Sequence, residues 1–583
     1  MKKSHWPLLL IFSIVSLIYS FPIFENISYW GQMDWDQFTF WNAVSRETIL
    51  RYHQFPLWNP YANGGTILLA HPHSSFLSPF YLFILALGPI MGLKVQIVVY
   101  LTMGLLGMFL LARYFELSQS ACYLTAFVFM LNSLYALHLS EGHACWMPMS
   151  LIPWVFMFYL KSLDMPRHAF GSIIFLGWIL LAGGVDVVLV LAVILILFAA
   201  FKSIQAKQIF PLRMLAMIFG GAFLLCAVKL LPMLEFLYHH PRVTDESTGT
   251  GFLALYKMLL SREQAFPHIE SWVRAQDMGL KYGWHEYGCY IGIIPLLLGC
   301  LGAAVSYKKQ WPLILTGVTS LIIAMGSASP LNLWKVLHSL PVYDSMHAPS
   351  RFMLGFVFTA AIFAGIGLTF LEKCVSKSAV LNVAGWRIAA LAITLLIFVD
   401  LWLVNSPIFK NAFIVPPLTI ERYSSFGQRY DKINLHGTKL SHSSMYPVFL
   451  SHSGILEAYE IVQVKQGGVR ISSDFDYRGE AYLLKSGGKI LIEDFSPNRI
   501  TLDADVKKQD ILVINQNFDQ GWRIKQNGVV MQVQPVDGLL AVPVTPGHHK
   551  LVAYYLPLSF LIGLCVSLAF IFGAAILSAR ILR

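Results

Sequence analysis

The chain has 583 residues, is 56% hydrophobic and only 13% charged, and carries a formal net charge of +10. So few charges on so apolar a chain exclude a soluble globular protein of ordinary make-up. The positive excess, which in a soluble protein would suggest nucleic acid, sits between apolar runs as the Lys and Arg of cytoplasmic membrane loops do, so no nucleic-acid partner is expected.

Many apolar runs reach the roughly 17–25 residues that a spanning helix requires. The first, about 7–24, follows Met1-Lys2-Lys3 and ends in Tyr19-Ser20-Phe21-Pro22 rather than in small residues, so it reads as an uncleaved helix. The first long polar segment, Trp30 to Ser75, comes next. It holds Asp34-Trp35-Asp36, a helix-like stretch, Trp58-Asn59-Pro60, Gly64-Gly65 and His71-Pro72-His73. The apolar piece 76–89 is short for a span and reads as re-entrant or interfacial.

With 76–89 left out, the remaining spans are about 95–112, 121–139, 147–163, 170–183, 186–201, 212–231, 288–305, 312–326, 351–371, 387–404 and 555–579. Arg113, Lys161/Arg167, Lys202/Lys207/Arg213, Lys308/Lys309, Lys373/Lys377/Arg387 and Arg580/Arg583 then share the inner face. Counting 76–89 as a span would put those clusters outside. The expected fold class is a polytopic α-helical membrane protein of about twelve spans with both termini cytoplasmic. Gly183-Gly184 must separate two short helices for this topology to hold. The transmembrane domain is 1–405, with outer loops 25–94, 140–146, 232–287 and 327–350.

Composition changes at 406–553. Ile511-Leu512-Val513-Ile514, Trp522-Arg523-Ile524 and Leu551-Val552-Ala553-Tyr554 read as strands, and Asn527-Gly528, Asp537-Gly538 and Pro546-Gly547 as turns. This is an extracytoplasmic β-domain of sandwich type, and 554–583 is the final helix with a cytoplasmic tail. The seven cysteines are scattered and make neither a disulfide framework nor a zinc site. No nucleotide-binding glycine motif is present.

Six sets of residues could carry chemistry. Asp34 and Asp36 could hold a divalent cation such as Mg or Mn, one of them could act as general base, or Asp36 could cap the helix after it. Glu141 and His143 form either a hydrogen-bonded turn or a second acid/base pair. Arg351, with His347, stands at the outer start of a helix, where an anionic phosphate or a lipid headgroup would explain a cation. Lys229 poses the same question. His285 and Glu286 open another helix toward a cavity. Asp186 reads first as a helix N-cap and second as a further carboxylate, while His71 and His73 read as loop polar groups.

PLWNPYANGG at 56–65, the His-Pro-His-Ser-Ser run, Glu141-Gly142-His143, Glu286-Tyr287-Gly288, Ala348-Pro349-Ser350-Arg351-Phe352, Gly521-Trp522 and Pro546-Gly547-His548-His549 together resemble the YfhO-like bacterial membrane proteins. The resemblance covers nearly the whole chain. It implies a GT-C-type glycosyltransferase that takes a polyprenyl-phosphate-linked sugar and works on the extracytoplasmic face of the bacterial cytoplasmic membrane. It points to Asp34 or Asp36 as the catalytic acid, with Glu141 and His143 beside it. Arg351, His347 and Lys229 would meet the donor phosphate, and His285, Glu286, Asp186, Trp58 and Asn59 would line the cavity. The partners implied are that donor, an envelope glycan or glycolipid acceptor, and membrane lipid. A flippase of lipid-linked glycans and a non-catalytic glycan-binding scaffold are the alternatives.

Overall fold

Seven described helices are long and apolar enough to cross a membrane: Trp6–Phe24, Pro89–Tyr114, Gln119–Glu141, Val185–Ala206, Pro349–Cys374, Gly385–Asn411 and Leu558–Ile576. An eighth results if Phe210–Leu225 and Ala227–His239, broken at Cys226, count as one span. The chain is therefore a helical membrane protein with a strand-rich C-terminal region. These features come from a computed structural model that describes residues 6–244, 248–375, 383–431, 445–459, 467–485 and 488–581. Lys377 and Arg583 of the expected basic set lie outside the described residues.

The other expected spans fold as shorter or bent helices. Residues 147–163 begin as the 3-10 turn Ala144–Leu151 and continue as Ile152–Asp164. Gly183-Gly184 separates Ala169–Leu181 from Val185–Ala206, as the glycine pair implied. The segments 288–305 and 312–326 are joined in one helical stretch, Ile293–Ala324, kinked at Gln310 just before Pro312. Residues 76–89 hold only the seven-residue helix Tyr81–Leu87, too short to span.

The chain divides into two compact units. The first comprises Met1–Gln32, Leu93–Phe223 and Val243–Val415. Its tightest crossing is between Ile293–Ala324 and Met353–Val375, where small residues let backbones approach. A Cβ on Gly302 would lie 1.9 Å from the Phe363 carbonyl oxygen, and one on Gly367 2.1 Å from that of Leu298. One span is interrupted. Gln119–Met130 stops, and Asn132 caps Ser133–Glu141 by accepting from Leu134 N at 2.8 Å. Lipid cannot hydrate the Leu131 carbonyl freed by the break, and Tyr19 Oη (3.1 Å) and Asn405 Nδ2 (2.7 Å) donate to it instead.

The second unit comprises Met33–Gly92, Leu224–Arg242 and Pro416–Arg583. Its strands form two main sheets. One has five strands in the order Val529–Met531, Trp522–Gln526, Gly547–Tyr555, Arg499–Val506, Gly488–Ser496. The other has four, Gln534–Val536, Leu539–Val544, Asp510–Asn517, Ala481–Leu483. Asn527-Gly528 and Asp537-Gly538 close hairpins with positive φ at both positions (50° and 87°, 49° and 76°). Pro546-Gly547 does a different job from a hairpin turn: it passes the chain from the four-stranded sheet to the five-stranded one.

PLWNPYANGG is a strap bound to this β-region. Asn517 Nδ2 donates to the carbonyls of Asn63 (2.6 Å) and Gly65 (2.9 Å), and Asn498 Oδ1 accepts from Trp58 N (2.9 Å). The buried Trp58 ring packs on Tyr555 at 4.8 Å and Trp522 at 5.5 Å. A Cβ on Gly65 would strike Trp58 and Gln516, so the strap can lie this close only as glycine.

Two outcomes follow. Gly302→Val should cost about 1–3 kcal/mol through overpacking and lower the thermal unfolding midpoint in detergent. Asn517→Ala, which leaves two buried carbonyls without their donor, should speed limited proteolysis within 56–65 severalfold while leaving Gly302-dependent stability unchanged.

Candidate functional site

In the first unit, polar groups gather where three candidate spans end. Glu141 closes Gln119–Glu141, Asp186 opens Val185–Ala206, and Arg351 opens Pro349–Cys374. Arg351 grips Glu286 with both arms of its guanidinium, Nε to Oε2 at 2.9 Å and Nη2 to Oε1 at 2.6 Å. Its Nη1 reaches Asp186 at 3.0 Å, and Nη2 also donates to His347 Nε2 at 2.9 Å. The guanidinium lies 5.6 Å from the centre of the Trp146 ring. Burial would raise the Glu286 carboxyl, but the Arg351 charge and hydrogen bonds outweigh it and hold the group well below the usual carboxylate range.

Glu141 sits at a helix C-terminus, where the peptide carbonyls disfavour negative charge. Histidines offset this. His268 Nδ1 is 2.6 Å from Glu141 Oε2, and His285 Nδ1 is 3.9 Å from Oε1. The first contact makes a dyad: with Nδ1 as the donor to the carboxylate, the Nε2 lone pair is left as an acceptor. The turn is made by Gly142, left-handed at φ 97°, which lets His143 N donate to His138 O at 2.9 Å. That folds His143 back over His138, whose ring stacks on Trp146 at 4.1 Å and 3°.

Glu141, His143, Asp186, His285, Glu286, His347 and Arg351 thus share one cluster, whereas the expected partners of Glu141 and His143, Asp34 and Asp36, lie in the other unit. Arg351 is already held by two carboxylates. Asp186 is not the expected N-cap, a position held by Gly184, and instead takes part in that grip from the first helical turn. His138, His268 and Trp146 belong to the cluster and were not singled out in the sequence. The spacing of His138 to Glu141-Gly142-His143 around a C-capping glycine was the available signal for the first. Nothing local marked His268.

Asp34, Asp36, Trp58, Asn59 and Lys229 belong to the second unit. Asp34 is the first residue of the helix Asp34–Leu50, where negative charge is favoured. Asp36 Oδ2 accepts from Met445 N (2.7 Å) and Oδ1 from Tyr446 N (3.1 Å), which caps the helix Met445–Leu450 rather than its own. Burial pushes the Asp36 carboxyl up to about 7 against the lowering effect of those two amides. Lys229 is buried and donates to the carbonyls of Pro72 (3.0 Å) and Ser74 (2.6 Å), so the His-Pro-His-Ser loop wraps its ammonium. In that loop His71 packs on Trp41 at 4.1 Å and His73 stacks on Phe38 at 5.7 Å. Asn59 Oδ1 accepts from Tyr61 N at 3.1 Å within its own turn.

This unit also contains a cavity of about 220 Å³ lined by Glu235, His239, His240, Asp519, Arg523 and Tyr555 among apolar neighbours. Asp519 accepts from Gly521 N at 2.7 Å, and burial raises its carboxyl.

Asp36 gives a pH signature. Between about pH 4 and 7 the folded chain holds a proton at Asp36 that the unfolded chain releases, so stability falls as pH rises through that window. Unfolding midpoints measured from pH 4 to 8 should decline for the wild type, and the decline should shrink in Asp36→Asn. Asp36→Ala should lose about 0.5–2 kcal/mol as a lost helix cap.

No curated protein matches the chain. Among solved structures it is similar to the arabinofuranosyltransferase AftD from Mycobacteria, at 15% identity over 70% of this chain, with a TM-score of 0.42. The match spans only 27% of AftD. It is also similar to ArnT from Cupriavidus metallidurans bound to undecaprenyl phosphate, at 13% identity over 77% of this chain and 85% of ArnT, with a TM-score of 0.41. The apo form of that protein gives 12% identity, 76% and 84% coverage, and 0.41. Residues 485–567 match the family model described as Bacterial membrane protein YfhO. That segment contains Gly521-Trp522 and Pro546-Gly547, two of the motifs that carry the resemblance.

Proposed function

We propose that the chain transfers a sugar from a polyprenyl-phosphate-linked donor to an envelope glycan or glycolipid on the extracytoplasmic face of the bacterial cytoplasmic membrane. The observation that carries this reading is the Glu141–His268 dyad inside a buried cluster at the ends of three candidate spans. Ionisable groups kept at membrane depth are costly and are retained for work. In the proposed step His268 Nε2, or a carboxylate beside it, takes the proton of the acceptor hydroxyl. The hydroxyl oxygen forms its bond to the anomeric carbon as the bond from that carbon to the donor phosphate breaks, and the phosphate leaves with the electron pair.

Orientation is part of the proposal. The basic residues Lys202, Lys207 and Lys373 lie at the far ends of the helices whose other ends form the cluster. Gln205 Nε2 bonds to the Lys309 carbonyl at 2.9 Å, which brings the Lys308-Lys309 kink to that same end. The positive-inside tendency then puts the cluster outside and that end in the cytoplasm. The finer topology we propose is twelve crossings in which the shorter helices also span, both termini cytoplasmic, and a two-sheet sandwich outside. Asp34, the first residue of the helix Asp34–Leu50, is the second base candidate. The cavity at Asp519 and Glu235 suits the hydroxyls of an acceptor glycan.

The test is transfer from a defined polyprenyl-phosphate sugar by the purified chain in liposomes. Glu141→Gln, His268→Gln and Asp34→Asn are compared with the wild type. Loss of a general base should lower the rate about 10²–10⁴-fold in the first two variants. Wild-type transfer by all three would sink the reading.

A further inference from the structure

The cluster contains a feature that the transfer step does not use. His138 and His143 face each other Nδ1 to Nδ1 at 2.9 Å. One ligating atom from each lies within 4.8 Å of the other and of a Glu286 oxygen. Two imidazoles can meet this way if one donates and one accepts, or if both turn lone pairs toward a shared cation. The local charge balance separates the two cases. Among the described residues, Glu141, Asp186 and Glu286 supply three carboxylates to the cluster and Arg351 one guanidinium. With neutral imidazoles the cluster carries an excess of two negative charges in a buried setting, where unbalanced charge is expensive.

The three side chains are also held in place as metal ligands usually are. His138 is fixed by its stack on Trp146. The backbone of His143 is fixed by the Gly142 turn and its bond to His138 O. Glu286 is oriented by the two-armed grip of Arg351, an outer partner to a ligating carboxylate. We propose that His138, His143 and Glu286 bind one divalent metal ion. Two imidazoles and one carboxylate select a borderline ion, zinc before magnesium or calcium. Such an ion would cancel the excess charge and leave coordination positions for water or an anionic oxygen.

The test reads metal, not transfer, so each reading can fail alone. Full-length protein is purified in detergent, stripped with a chelator, exposed to zinc and then desalted. Metal analysis should find about one zinc per chain in the wild type and at least tenfold less in His143→Asn and in His138→Asn. His548→Asn, an exposed imidazole of the β-region, should keep the wild-type content. Cobalt added in place of zinc should give visible absorption bands that vanish in His143→Asn. Unfolding curves show whether each variant is folded, and His143, the less buried of the two, serves if His138→Asn does not fold. A folded wild type without stoichiometric zinc, or with zinc retained in folded His143→Asn, overturns the proposal. A chain that neutralises the cluster by protonating its histidines would give the first of these results.

Discussion

The pairing of Arg351 with Glu286 is the constraint on which the first unit depends. Both side chains are nearly buried, at 5% and 2% exposed. A guanidinium in that setting is tolerable only with matched acceptors, and a carboxylate only with matched donors. The two-armed contact supplies both, and Asp186 and His347 take further donors of the same group. Because Arg351 and Asp186 open two candidate spans, the grip fixes those two helix ends at one level. Trp146, the His138 stack and the Glu141 turn bring the end of a third span to the same place. The result is a buried polar cluster made from span ends, with its histidines placed by it.

The second unit follows a different logic. Its PLWNPYANGG strap is fastened to the β-region through backbone carbonyls and amides, and Glu47 adds an ion pair to Arg422 at 2.7 Å. Asn498, Asn515 and Asn517 each bond to backbone, and the first and last of these hold the PLWNPYANGG strap. Asp36 and Lys229, two of the three ionic residues expected to do chemistry here, are engaged by backbone groups as well. Such bonds specify shape. They explain why a stretch so rich in Gly, Pro, Asn and Trp keeps one conformation.

How much of this could be read from the sequence varied with the physics involved. Hydropathy located the long helices and the strand-rich region, because burial in lipid and alternation on a sheet leave local patterns. The hairpins at Asn527-Gly528 and Asp537-Gly538 were readable because positive φ restricts residue type. The polar residues at span ends were readable as well, since an ionisable group beside an apolar run stands out. What was not readable was who meets whom. Arg351 looked like a cation awaiting an anion, and Glu286, its partner, lies 65 residues away. His268 reaches Glu141 across 127 residues from a loop with no distinctive pattern. Asp36 looked like a cap for the helix that follows it, but it caps one that begins 409 residues later. The span count was blurred for a similar reason, because short helices such as Ala169–Leu181 depend on tertiary packing that hydropathy does not encode.

A double-mutant cycle on Arg351 and Glu286 tests the central claim, that this buried pair organises the cluster. Arg351→Met, Glu286→Leu and the double variant would be compared for unfolding free energy in detergent. Each single change strands a buried charge and should cost about 3–5 kcal/mol. The double variant should recover most of that loss, leaving a large coupling energy between the two positions. Additive costs, with no recovery in the double variant, would contradict the account.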